Sequence, residues 1–148
     1  MKFPIRVTKK FGQWMPYIVF LIKANRVKPM SIEALVDTGS PWLAITPKDC
    51  LRLNIPISHL IKSAEWPTIT LASFKFYRYV FPTTNICLKD EKGKLFNFKF
   101  PISVLWPTKK KWPDQIKDIP SVMGSDFLTF GKLHLHYDPS NQTAFLEN

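Results

Sequence analysis

With 148 residues, 45% of them hydrophobic and 14% aromatic against 22% charged, the chain holds one domain with a full core, has no room for two large lobes, and lacks the signature of disorder. Thirteen prolines and only five glycines disfavour long helices and favour short strands joined by proline-bearing loops, so a mainly β domain is expected. The net charge of +10 would attract anionic partners nonspecifically, while the two cysteines, Cys50 and Cys87, lack CxxC spacing and imply buried free thiols rather than a metal knuckle or a secreted framework.

The longest stretch free of polar residues, Trp14 to Ile22, has nine residues and includes Pro16. It is too short for a bilayer span and poorly placed for a signal peptide, so a cytoplasmic location is expected. Within it, Pro16 to Ile22 predicts a strand buried on both faces, and Ser31 to Val36 its hairpin partner, running straight into Asp37. Thr46 before Pro47, with Asp49 three residues on, predicts a capped helix over Pro47 to Leu53. Ile69 to Phe81 is extended, aromatic and β-branched.

Asn85 to Leu88 should pair with the start of Phe96 to Trp106 through the charged turn Lys89 to Lys94. The even positions from Phe96 to Trp106 are all apolar, which predicts a long amphipathic strand, bent or edged at Pro101. Pro107 to Pro120 is a long basic loop in which Lys109-Lys110-Lys111 lies between Trp106 and Trp112. That run is either a phosphate-contacting loop with stacking aromatics or a solvated face. Ser125 to Phe130, closed by Gly131, predicts a short helix, and Leu133 to Tyr137 alternates as a strand.

The segment richest in chemistry is Ala34-Leu35-Val36-Asp37-Thr38-Gly39-Ser40. A buried strand delivers an acid into a turn where Gly39 lets the backbone approach the carboxylate and Thr38 and Ser40 offer hydroxyls and amides to hold it. Taken alone, the common tripeptide reads better as an Asx-type turn in which Asp37 bonds its own backbone. Val122-Met123-Gly124, whose glycine lies eighty-seven residues beyond Asp37, precedes Ser125-Asp126-Phe127-Leu128.

In that order the two motifs resemble those of the retropepsin-like aspartic proteases, over about residues 16–137. The resemblance implies a retropepsin-like acid protease barrel with one or two short helices and one lobe per chain. Residues 1–15 would then be an N-terminal extension and 138–148 a C-terminal hairpin extension. It further implies that Asp37 is catalytic and that Thr38, Gly39, Ser40, Val122, Met123 and Gly124 support the catalytic loop. No second D-T-G or D-S-G occurs, so the active unit would be a homodimer carrying one Asp37 from each subunit.

The family's flap should fall near Trp66 to Tyr79. No glycine lies between Gly39 and Gly93, which puts the tip at about Ala72-Ser73. Ala72, Ser73 and Phe74 then become candidate substrate-binding residues, together with Trp42, which is otherwise a core side chain. Pro41 or Trp42 and Ser125 replace the acid and arginine that pair in retroviral members. His134 and His136, with His59, could ligate a metal, but no carboxylate or thiol clusters beside them.

Three functions fit in descending order. The first is an aspartic endopeptidase acting on extended peptides, with water as the only other reactant and no cofactor. The second is a catalytically weak dimeric module that grips peptides or proteins. The third, resting on net charge alone, is a nucleic-acid-binding β domain.

Overall fold

Period-2 patterning in the sequence becomes strands that close on one another. The computed structural model describes residues 1–148. In chain order the strands are β1 (Lys2–Lys10), β2 (Gln13–Lys23), β3 (Met30–Val36), β4 (Ala44–Ile45), β5 (Ile61–Lys62), β6 (Thr68–Leu71), β7 (Phe74–Lys89), β8 (Leu95–Pro107), β9 (Ser121–Met123), β10 (His134–Asp138) and β11 (Thr143–Glu147). Two helices, α1 (Pro47–Leu53) and α2 (Ser125–Phe130), and 3-10 turns at Ile57–His59 and Asp114–Asp118 complete the chain.

Neighbours run β2, β3, β9, β4, β8, β7, and β7 pairs back onto β2, so the sheet closes into a barrel. The β3–β9 and β4–β8 pairs are parallel, and the other pairs are antiparallel. Inside lie Ile18, Phe20, Ile32, Leu43, Ile86, Met123 and Phe127, each almost fully buried. A smaller apolar cluster of Ala44, Phe76, Leu105, Ile116 and Ile119 fills the base of the β6–β7 hairpin. No helix is long and apolar enough to cross a membrane.

Local details depart from the sequence reading in four places. β2 is not covered on both faces: Val19 is 52% exposed. Thr46 stands at the start of α1 but caps nothing with its side chain. Its hydroxyl donates instead to the Ile119 carbonyl at 2.8 Å, and its amide donates to Ser121 Oγ at 3.1 Å. Asp49 is fully buried, accepts from Ser121 Oγ at 2.6 Å, and is paired with Arg52 and Lys48. Those bonds tie α1 to β9.

β8 is an interior strand between β4 and β7 rather than an edge. Pro101 lies opposite a register shift of β7 between Phe81 and Thr84. Neither Pro82 nor Pro101 has an N–H to give the ladder, so the sheet bulges there. At the end of α2, Gly131 is right-handed, and Lys132 takes the positive φ of 52°.

After α2 the chain builds a three-stranded patch in which β11 lies between β10 and β1. β10 is therefore a terminal strand with one edge unpaired.

Candidate active site

Ile32, Ala34 and Val36 of β3 point into the barrel, and the strand ends by delivering Asp37 to the outside. The turn that follows is closed by the Ser40 N–H donating to the Asp37 carbonyl at 3.1 Å. The Gly39 N–H donates to Asp37 Oδ1 at 2.9 Å, so the carboxylate is held by that amide rather than by the Thr38 or Ser40 hydroxyl. Asp37, Thr38 and Gly39 are all exposed.

β9 runs parallel to β3, with Leu35 opposite Val122 and Val36 opposite Met123. It grips the turn from below through the Asp37 N–H, which donates to the Met123 carbonyl at 3.1 Å. From the other side the Ser125 N–H donates to the Ser40 carbonyl at 2.8 Å and the Asp126 N–H to the Pro41 carbonyl at 3.3 Å. Gly124 passes between these bonds, directly against the carbonyls of Ser40 and Trp42. The structure thus brings together Asp37, Thr38, Gly39, Ser40, Val122, Met123 and Gly124.

Asp126 is a member of this crossing that sequence reasoning treated only as part of a helix start. Its Oδ1 accepts from the Leu43 N–H at 2.7 Å and the Phe127 N–H at 2.6 Å, stitching the chain after the Asp37–Ser40 turn to α2. Burial pushes its carboxyl above the ordinary aspartate range, against those two amides and the Arg78 guanidinium. The signal lay in an ionisable residue two positions past a glycine that itself abuts backbone.

The flap expected near residues 66–79 is the β6–β7 hairpin, in which Leu71 pairs with Phe74 across a two-residue tip. Ala72 and Ser73 both take positive φ, 49° and 69°. Two left-handed residues in a row give the twist a short hairpin needs, usually with glycine or asparagine in those places. Trp42, half-buried, packs under this hairpin against the cluster that also gathers Ile69, Leu71 and Phe74. Of the two readings of Trp42 the packing bears on the core one: the side chain is partly buried against the smaller apolar cluster, three residues after the Asp37–Gly39 turn.

The basic loop lies at the hairpin's tip. Ser73, Phe74, Lys109 and Pro113 share a groove of about 250 Å³, and the Thr108 N–H donates to the Lys75 carbonyl at 3.3 Å. Trp106 and Trp112 pack edge to face on each other, with centroids 4.8 Å apart, so these rings already contact each other within the chain. The histidines do not converge: His136 stacks on Phe145 and pairs with Glu147 at 3.2 Å. No group of three His, Cys, Asp or Glu residues is placed to hold a metal ion.

No protein-family model and no curated protein matches the sequence. Solved structures do match the fold. The EIAV protease in complex with an inhibitor superposes with a TM-score of 0.52 at 17% identity, over 88% of this chain and 100% of that one. A retropepsin-like aspartic protease from Rickettsia conorii gives a TM-score of 0.56 at 19% identity, over 99% of this chain and 89% of that one. The fold is that of the single-lobe, retropepsin-like aspartic proteases.

Proposed function

We propose that the protein is an aspartic endopeptidase whose active unit is a homodimer with one Asp37 from each subunit. The observation that carries this reading is an exposed Asp37 on a turn fixed from both sides by the β9–α2 crossing. One lobe supplies only half of a carboxylate pair.

The surface beside the turn suits a second copy of the chain. Thr38 shares a concavity of about 580 Å³ with Ser125, Leu128, Lys132 and His134, and β10 offers an unpaired strand edge next to it. A symmetric pairing across that edge would bring the two turns together.

Two carboxylates held close share one proton, because both cannot ionise cheaply. The ionised member takes a proton from water as general base while the protonated member hydrogen-bonds the scissile carbonyl and stabilises the developing oxyanion. A proton then goes to the leaving amine. The chemistry is complete with water and needs no cofactor.

Peptide-library cleavage by the wild type and by Asp37→Asn, from acid to neutral pH, tests the reading, with sedimentation on both proteins. Cleavage by a wild-type dimer, lost in the variant, supports it. Specific peptide binding without turnover in either protein would replace it with the binding-module reading, and retained proteolysis by a monomer would remove the shared site.

A further inference from the structure

One face of β7 carries Phe74, Phe76, Arg78 and Val80 on the side of the smaller apolar cluster, and Arg78 is its one charged member. Its guanidinium is held in place. Nε donates to Ser103 Oγ at 2.9 Å and Nη1 to Ser63 Oγ at 2.7 Å, and the plane lies over the Trp42 ring at 4.2 Å. Ser103 is only 3% exposed, so this anchor is built into the barrel wall.

The charge it carries is not neutralised by contact. Arg78 belongs to none of the chain's ion pairs, and Asp126 and Glu65 attract it only from a distance. Because no buried side-chain polar atom lacks a partner, its remaining N–H groups face open space. That space is a cleft of about 470 Å³ whose lining includes Leu60, Ile61, Ser63, Val80 and, on the rim, Lys62 and Glu65. Trp42, under the guanidinium, in turn packs against Trp66 with centroids 6.3 Å apart.

A fixed planar guanidinium with free N–H groups matches a carboxylate in two-pronged geometry, whereas an apolar or cationic side chain would leave the charge unpaired. We propose that Arg78 is the specificity-determining residue of a subsite, adjoining Trp42, that takes a glutamate or aspartate side chain of the substrate peptide. This rests on the peptide-cleaving reading above. It differs from attraction by the Lys109 to Lys111 loop, which would act through screened, long-range charge.

Peptides built on one neutral library substrate, with Glu or Gln at each position in turn, give the ratio that decides it. At one position the wild type should favour Glu in kcat/KM by about tenfold, a preference that survives 0.5 M salt and fades as the peptide glutamate protonates near about pH 4.3. Arg78→Met and Arg78→Gln should bring the ratio close to one. A ratio unchanged in either variant, or no glutamate preference at any position, would overturn the assignment.

The same ratio is read from anisotropy of labelled peptides on the Asp37→Asn protein and on its Arg78→Met derivative. Absence of turnover by the wild type, with the binding ratio still dependent on Arg78, would sink the protease reading and keep the subsite. Turnover with no such dependence would do the reverse.

Discussion

Gly124 lies with its α-carbon against the Ser40 carbonyl: a β-carbon there would come 2.6 Å from that oxygen, and closer still to the carbonyl oxygen of Trp42. Both obstacles are backbone: the Ser40 carbonyl accepts from the Ser125 N–H, and the Trp42–Leu43 peptide is fixed by the Leu43 N–H donating to Asp126 Oδ1, so neither can swing aside. Gly124→Ala is therefore expected to lower unfolding free energy by about 3–5 kcal/mol, and Gly124→Val to prevent folding, the range reserved for overpacked, rigid sites. Urea unfolding checks it. A stable, fully active Ala variant would mean that the crossing is looser than drawn.

The tip of the β6–β7 hairpin makes the opposite prediction, since Ala72 and Ser73 occupy left-handed backbone without being glycine. Ser73→Gly should raise stability by about 1 kcal/mol, because the left-handed conformation costs a side-chain-bearing residue about 1–2 kcal/mol and glycine's extra unfolded-state entropy takes back part of the gain. The midpoint of denaturant unfolding measures it. A less stable glycine variant would show that the tip is not a two-residue, left-handed turn.

Much of the site was written in the sequence, because its constraints are local. Ala34-Leu35-Val36 alternates into Asp37, Gly124 follows two apolar residues, and Pro47 to Leu53 carries its own start signal, so strand, glycine and helix fall where the pattern puts them. What escaped depends on partners distant in the chain. Whether Val19 is covered depends on which layers meet outside β2, and Thr46 turns from its cap to Ile119 and Ser121 only once β9 lies beside it. Arg78 is one more residue in an aromatic run until the tip at Ala72-Ser73 fixes which face of β7 turns toward Ser103 and Trp42.

The lysine run should act at a distance. Lys109 borders the hairpin tip, and Lys110 and Lys111 are exposed. Replacing all three by Gln is expected to weaken cleavage of peptides with acidic flanks by about threefold to tenfold at low ionic strength, and the gap should close near 0.5 M salt, where the screening length is about 4 Å. Initial rates across a salt series decide between this and a fold defect, which would slow acidic and neutral peptides alike at every salt concentration.

Asp126 gives a pH prediction whose sign is set by burial. Its folded-state carboxyl titrates above the ordinary aspartate value of 3.8, so the folded chain holds that proton more tightly than the unfolded chain. The stabilisation from this one group is therefore complete below 3.8 and is lost as pH rises through the raised folded value. Asp126→Asn keeps an oxygen to accept from Leu43 and Phe127 but removes the charge whose burial is unfavourable. The variant should lose this component of the pH dependence and match or exceed the wild type in stability above the window. Asp126→Ala leaves two amides without their acceptor and should cost about 1–3 kcal/mol at every pH. Melting temperatures of the three proteins from pH 3 to 8 separate the cases. A wild type that gains stability relative to Asp126→Asn on rising through the window would show that pairing with Arg78 outweighs burial at this carboxylate.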